Sequence, residues 1–86
     1  MSTATAAVTM FTTPWCGYCK RLKRQMIDAG IAFDEVDIER EPAAAQVVEE
    51  VNHGNQTVPT LVFADGTAMT NPSLAQITDR LATIGS

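Results

Sequence analysis

The chain lacks any apolar run approaching the roughly 20 residues that a membrane-spanning helix needs. Its first residues, Met1–Ala7, lack the basic stretch and the long apolar stretch of a secretion signal, so we expect a cytoplasmic protein. Basic residues are few, six against ten acidic ones, and a net charge of −4 argues against nucleic acid as a partner. No repeat, linker or low-complexity segment divides the chain, which predicts one domain over residues 1–86.

Cysteine is scarce as well, and both copies stand close together, at Cys16 and Cys19. In a cytoplasmic protein two cysteines are more often reactive than structural. A zinc site would need two further ligands, and His53 is the only other strong candidate, so we expect no bound metal. A Cys-x-x-Cys motif beside a βαβ pattern is instead typical of redox sites.

The cysteine motif lies where a strand pattern gives way to a helix pattern. Val8–Thr12 is rich in apolar and β-branched residues, which predicts a strand. From Gly17 onwards apolar residues recur every fourth position, which predicts a helix with a C-terminal glycine at Gly30. Cys16 is therefore expected at the N-terminus of a helix and Cys19 one turn inside it. The apolar positions of that helix are Tyr18, Leu22 and Met26.

The remaining pattern predicts two more helices and three more strands. The expected strands are Ile31–Ile38, Thr60–Phe63 and Thr67–Met69, the last two joined by a turn at Asp65-Gly66. The second helix is expected to begin at Pro42 and to end at Asn52–Asn55, with an apolar face formed by Ala44, Val47, Val48 and Val51. The last helix is expected to begin at Pro72, with Asn71 as its cap. The order is βαβαββα, an α/β architecture with a four-stranded mixed sheet and three flanking helices.

A thiol at a helix N-terminus suits disulfide exchange because the attacking species is the thiolate. Free N–H groups and the helix dipole lower the pKa of such a thiol, here that of Cys16. Lys20, four residues later, is expected to add to this, whereas Lys23 lies about 10 Å along the helix axis. Cys19 faces the core, where it is either a second reactive thiol or a small buried apolar residue.

A second candidate site feature is Thr57-Val58-Pro59, directly before a strand. Proline has no N–H for a sheet ladder, which explains its place at a strand start. If the Val58–Pro59 bond is cis, it is a tight-turn feature that leaves the Val58 N–H and C=O free to pair with an extended ligand.

Together, Trp15-Cys16-Gly17-Tyr18-Cys19 and Thr57-Val58-Pro59 resemble the glutaredoxins of the thioredoxin superfamily, from about Val8 to Ile84. The resemblance is closest to the mycoredoxin branch of actinobacteria that use mycothiol, a sugar-based thiol. The segments that carry it are Gly54–Pro59, Phe63–Gly66 and Thr70–Pro72.

Two departures from typical glutaredoxins favour mycothiol over glutathione. Typical members carry a Gly-Gly pair and an Asp before the last helix, where this chain has Thr70-Asn71-Pro72-Ser73. They also carry a lysine shortly before the first cysteine, where Thr12 and Thr13 stand.

The resemblance implies a thioredoxin fold and a monothiol cycle. Cys16 would attack the mycothiol sulfur of a protein–mycothiol mixed disulfide, and Cys19 would be a second thiol able to close a disulfide. The implied partners are mycothiol as co-substrate, S-mycothiolated client proteins and, indirectly, mycothiol disulfide reductase, with no bound cofactor and a monomeric protein. The expected ligand contacts are Trp15, Gly17, Tyr18, Lys20, Thr57, Val58, Pro59, Asn71 and Pro72.

Some of these residues have purely structural explanations, and two other functions stay open. Trp15 and Tyr18 are either packing residues or a ligand wall, the basic residues of the first helix are either a solvated face or a functional one, and Asn71 has a sufficient role as a helix cap. The protein is alternatively a dithiol reductase of protein disulfides that uses Cys16 and Cys19. A further alternative is a non-catalytic module that holds an iron–sulfur cluster between two subunits.

Overall fold

The computed structural model describes residues 7–85. Residues 1–6, most of the segment considered above for a secretion signal, and residue 86 lie outside this range. No helix within the described range is long and apolar enough to cross a membrane. The elements, in chain order, are β1 (Val8–Thr12), α1 (Gly17–Asp28), β2 (Asp34–Asp37), α2 (Pro42–Val51), β3 (Thr60–Phe63), β4 (Ala68–Thr70) and α3 (Leu74–Gly85).

The four strands form one mixed sheet in the order β2-β1-β3-β4. β1 runs parallel to β2, with Thr9 opposite Asp34, and antiparallel to β3, with Val8 opposite Phe63. β3 and β4 pair as an antiparallel hairpin. The predicted element order and mixed sheet are therefore confirmed. β1 is an interior strand of the sheet, and the cysteine motif follows its carboxyl end. α/β proteins tend to bind ligands at this end of their strands.

Helices cover both faces of this sheet. Met10 and Leu61, on one face, pack with Leu22 of α1 and Ile77 of α3. Phe11, which points the opposite way from Met10, packs with residues that include Val48 of α2. The larger of the two core clusters also contains both cysteines, so the redox motif is part of the hydrophobic core.

Helix α1 begins and ends where the sequence predicts. Cys16 is its N-cap residue, and Ala29 is its C-cap. Gly30 follows in the left-handed region with φ 75°, where glycine has no Cβ to clash. The N–H of Gly30 bonds to the carbonyl of Ile27 and that of Ile31 to the carbonyl of Met26, which is a Schellman motif.

The predictions for the two edge strands need correction. β2 spans Asp34–Asp37 rather than Ile31–Ile38. Pairing with β1 begins only at Asp34. In the segment between α1 and β2, Ile31 and Phe33 pack against the core instead of pairing with β1. β4 begins at Ala68 rather than Thr67, because the Asp65 carboxylate holds the N–H and hydroxyl of Thr67 in the turn. These hydrogen bonds also lower the pKa of the exposed Asp65 carboxyl.

Two helix predictions also need correction. Val47 is 36% exposed, so the buried side of α2 is formed by Val48 with Ala44 and Ala45 packed beside it. Asn71 is not the N-cap of α3: it lies in the left-handed region with φ 55°, and α3 begins at Leu74. Ser73 caps that helix, since its hydroxyl accepts the Gln76 N–H at 3.2 Å while the Gln76 side chain accepts the Ser73 N–H at 2.9 Å.

Candidate active site

The two cysteines are joined as a disulfide at the start of α1, with their Cα atoms 5.2 Å apart. Cys16 has extended backbone angles, φ −85° and ψ 104°, and its sulfur accepts the Cys19 N–H at 3.0 Å. The sulfur thus occupies the position of an oxygen in an ordinary helix cap. Both residues are buried, with Cys16 7% and Cys19 3% exposed.

The loop before β3 contains the second candidate feature of the site. The Val58–Pro59 peptide bond is cis. Val58 packs against the core cluster that contains both cysteines, and Pro59 is buried. Within residues 7–85, neither the N–H nor the C=O of Val58 has a hydrogen-bond partner, so both are available to a ligand.

The segment between β4 and α3 is tied to both of the preceding features. The Asn71 N–H donates to the Pro59 carbonyl at 2.8 Å. The Tyr18 hydroxyl, on α1, donates to the Pro72 carbonyl at 3.3 Å. Asn71 itself is exposed, whereas Pro72 is buried. Hydrogen bonds therefore link three segments that are distant in sequence, and one of these bonds comes from Tyr18, between the two cysteines.

Trp15 stands at the outer rim of the site. It is 70% exposed, and its indole Nε1 donates to the Glu39 carboxylate at 2.6 Å. Gly17, also exposed, is the first residue of α1. The sequence alone does not predict this contact, because nothing in the local pattern indicates a partner 24 residues away.

Two further groups near the site were not predicted from the sequence. The side chain of Asn52, the C-cap residue of α2, bonds to Thr60 and Thr70 on two different strands. A cleft of about 290 Å³ opens beside Cys19 and is lined by side chains from α1 and β2. Asn52 was recognised only as a helix end, and the polar residues of β2 only as a strand.

Among residues 7–85, no three His, Cys, Asp or Glu side chains lie close enough together to hold a metal ion. His53 is exposed and lies in the left-handed region with φ 57° directly after α2.

Comparison with known proteins identifies the family. The family model described as Glutaredoxin matches residues 8–68. The chain is 55% identical over 80 residues to the glutaredoxin-named protein Rv3198A of Mycobacterium tuberculosis, covering 93% of this chain and 95% of that protein. The chain belongs to the glutaredoxin family. It is also 39% identical over 70 residues to Mycoredoxin 1 of Corynebacterium glutamicum, covering 81% of this chain and 86% of that protein.

Solved structures agree with this glutaredoxin assignment. The glutaredoxin of Methanosarcina mazei Go1 is 26% identical, with a TM-score of 0.75 over 88% of this chain and 78% of that one. The thioredoxin-like protein BC3987 is 21% identical, with a TM-score of 0.71 over 84% of this chain and 96% of that one. The thioredoxin fold is therefore confirmed. As a member of the glutaredoxin family, this protein is a thiol–disulfide oxidoreductase, and the Cys16–Cys19 pair is its redox motif.

Proposed function

We propose that this glutaredoxin reduces protein–mycothiol mixed disulfides by a monothiol cycle, with Cys16 as nucleophile and mycothiol as reductant. The observation that carries the proposal is the meeting of three segments: Asn71 bonds to Pro59, and Tyr18 of the redox motif bonds to Pro72. The segment Thr70–Ser73, which stands where typical glutaredoxins carry the Gly-Gly pair and Asp, is thus bonded to the residue between the two cysteines, which supports the proposal. The 39% identity to Mycoredoxin 1 supports the same assignment.

The cycle follows from the position of Cys16. Its thiolate attacks the mycothiol sulfur of the mixed disulfide, a Cys16–mycothiol disulfide forms, and the client protein leaves as a thiolate that takes a proton from solvent. A second mycothiol thiolate attacks the mycothiol sulfur of this intermediate, releases Cys16 and forms mycothiol disulfide. Cys19 is not consumed. When Cys19 attacks the Cys16 sulfur of this intermediate instead, the Cys16–Cys19 bond forms, the Cys16–mycothiol bond breaks and mycothiol leaves as its thiolate; a further mycothiol must then reopen the intramolecular disulfide.

The proposed mycothiol contacts lie around Cys16. Val58 supplies an N–H and a C=O that have no partner in the described part of the chain and that pair with an extended ligand as a strand would. Asn71 is exposed beside this loop and supplies a side-chain amide for a sugar hydroxyl. The full proposed set is Trp15, Gly17, Tyr18, Lys20, Thr57, Val58, Pro59, Asn71 and Pro72.

The wider setting is part of the proposal. Residues 1–86 form a single domain that acts as a monomer in the cytoplasm. Its partners are mycothiol, S-mycothiolated client proteins and, through mycothiol disulfide, a mycothiol disulfide reductase. It carries no bound cofactor or metal, and it engages neither nucleic acid nor membrane.

The test is turnover of one test protein carrying either mycothiol or glutathione, each with its own thiol as the sole reductant. We expect wild type and Cys19→Ser to be active, Cys16→Ser to fall to the background rate, and the mycothiol pair to be preferred by about tenfold or more. Equal rates with both thiols would remove mycothiol from the proposal while leaving the oxidoreductase assignment intact.

A second candidate is a dithiol reductase of protein disulfides, favoured by the disulfide between Cys16 and Cys19. In that function Cys19 resolves the mixed disulfide with the client, and a reductase restores the thiols. The Cys19→Ser variant separates the two functions. The dithiol function would be established by two results together: Cys19→Ser no longer reduces either mixed disulfide, and wild type reduces a protein disulfide such as that of insulin.

A further inference from the structure

A polar cleft of about 290 Å³ reaches Cys19 between the start of α1 and strand β2. Cys19 is one of its lining residues, whereas Cys16 is not. The two sulfurs of the motif therefore have different surroundings. The cleft is lined by Thr12, Thr13, Pro14, Cys19, Lys20, Lys23, Glu35 and Asp37.

Lys20 and Cys19 both line this cleft. The rule that side chains four apart are neighbours describes pairs in which both residues are helical. Cys16 is extended, and its sulfur turns towards the Cys19 N–H, so the helical rule that pairs Lys20 with Cys16 does not apply to it. Lys20 instead shares the cleft with Cys19.

The charges of the cleft are mostly paired. Lys23 and Glu35 form an ion pair at 3.0 Å, and Glu35 also accepts the Thr12 hydroxyl at 3.1 Å. Asp37 accepts the Glu39 N–H at 2.9 Å. Lys20 has no ion pair among residues 7–85 and is the one lining charge left without a partner.

Thr13 offers a second unpartnered group. It is 6% exposed, and its hydroxyl is buried without a hydrogen-bond partner in the described part of the chain. A buried hydroxyl without a partner costs free energy, which an acceptor appearing in the cleft would recover. The other elements around Cys19 contribute apolar residues to its cluster, including Leu61 of β3 and Ile77 of α3.

We propose that Lys20 and the Thr13 hydroxyl stabilise the thiolate of Cys19, the leaving group when the intramolecular disulfide is opened. A small-thiol thiolate attacks the Cys16 sulfur, a bond forms between these two sulfurs, and the Cys16–Cys19 bond breaks. The electron pair leaves on Cys19, which then takes a proton from solvent through the cleft. Lys20 and Thr13 are positioning residues for Cys19, and this holds whichever small thiol is the reductant.

The first experiment measures the thiolate of each cysteine separately, by its absorbance near 240 nm across a pH series. In the Cys16→Ser background Cys19 is the only thiol left to titrate, and the charged neighbours Lys20, Lys23, Glu35 and Asp37 are unchanged. We expect Lys20→Met and Thr13→Val, which removes only the hydroxyl, to move the Cys19 midpoint to higher pH. Arg21→Met, one residue along the same helix and outside the cleft, is the matched control and leaves the midpoint in place.

The second experiment follows disulfide opening by dithiothreitol, with the fluorescence of Trp15, the single tryptophan, as the signal. Removal of one nearby charge is expected to slow opening by about fivefold in Lys20→Met, and Arg21→Met opens at the wild-type rate. If Lys20→Met instead shifts the Cys16 midpoint in the Cys19→Ser background and leaves that of Cys19 unchanged, the assignment to Cys19 is wrong. Unchanged midpoints for both cysteines also overturn it.

Discussion

At the scale of single residues, Cys16 combines two functions that proteins usually separate. As the N-cap of α1 it accepts the Cys19 N–H, and as a thiol it is the more N-terminal half of the redox pair. A hydrogen bond to a reduced sulfur favours its charged form. The geometry that begins the helix therefore suits the nucleophile role that we propose for Cys16.

Ser73, which caps α3, provides a second test of helix capping. Ser73→Ala removes the hydroxyl that accepts the Gln76 N–H, and the free energy of unfolding is expected to fall by about 1 kcal/mol. Urea unfolding monitored by circular dichroism measures this change.

Ser73→Asp is the matched variant, since a carboxylate also accepts the Gln76 N–H and suits the positive end of the helix. It is expected to retain wild-type stability. Equal losses in the two variants would mean that Ser73 contributes through something other than its cap.

At the scale of elements, Asn52 holds three of them together around the cis-proline loop. Its amide group donates to the Thr60 hydroxyl at 3.0 Å and accepts from the Thr70 hydroxyl at 2.6 Å. Thr60 in turn donates to the Thr57 carbonyl at 2.7 Å. The end of α2, the start of β3 and the end of β4 thus share one hydrogen-bond network, which sets the loop that contains Val58.

Asn52→Ala tests whether that network is a structural anchor. The change leaves the Thr60 and Thr70 hydroxyls without this partner, and we expect the free energy of unfolding to fall by about 1–3 kcal/mol. Asn55→Ala is the control, because Asn55 is exposed and its side chain makes only one hydrogen bond within residues 7–85, to the Asn52 carbonyl. Urea midpoints compared at equal slope decide the matter, and a similar loss in both variants would contradict the anchoring role.

At the scale of the whole molecule, one core joins the catalytic helix to the rest of the fold. Both cysteines, α1, the sheet and Ile77 of α3 belong to the same packed cluster. A substitution that disrupts the packing of α3 therefore also affects the packing around the redox motif, even though α3 is the last element of the chain. The second cluster, under α2, is smaller and contains no cysteine.

Paired isoleucine variants test this reading of the core. Ile77 is 0% exposed on α3, whereas Ile27 is 57% exposed on α1. Ile77→Ala is expected to lower the free energy of unfolding by about 2–5 kcal/mol, because it leaves a cavity in the core. Ile27→Ala is expected to change it by no more than about 0.5 kcal/mol. Chemical unfolding of the two variants measures both values, and comparable losses would contradict the assignment of α3 to the main core.

Much of the fold was predictable because its signals are local. The strand Val8–Thr12, the helix from Gly17 and its end at Gly30 follow from residue spacing and from glycine's freedom to adopt positive φ. The predictions from sequence fail where contacts with residues distant in the chain decide the structure. Pairing with β1 sets the start of β2 at Asp34, and packing leaves Val47 exposed although its helical position allows burial.

The order of elements, the redox motif at the start of α1 and the family all follow from the sequence. These depend on hydrophobic period, turn residues and short motifs, all of which are properties of neighbouring residues. The surroundings of each sulfur, in contrast, depend on the tertiary structure. The Cys19 cleft, the Trp15–Glu39 bond and the Asn52 network join residues brought together by the sheet and its helices. A contact across eight or more residues leaves no periodic trace in the chain, so its geometry exists only once the core has formed.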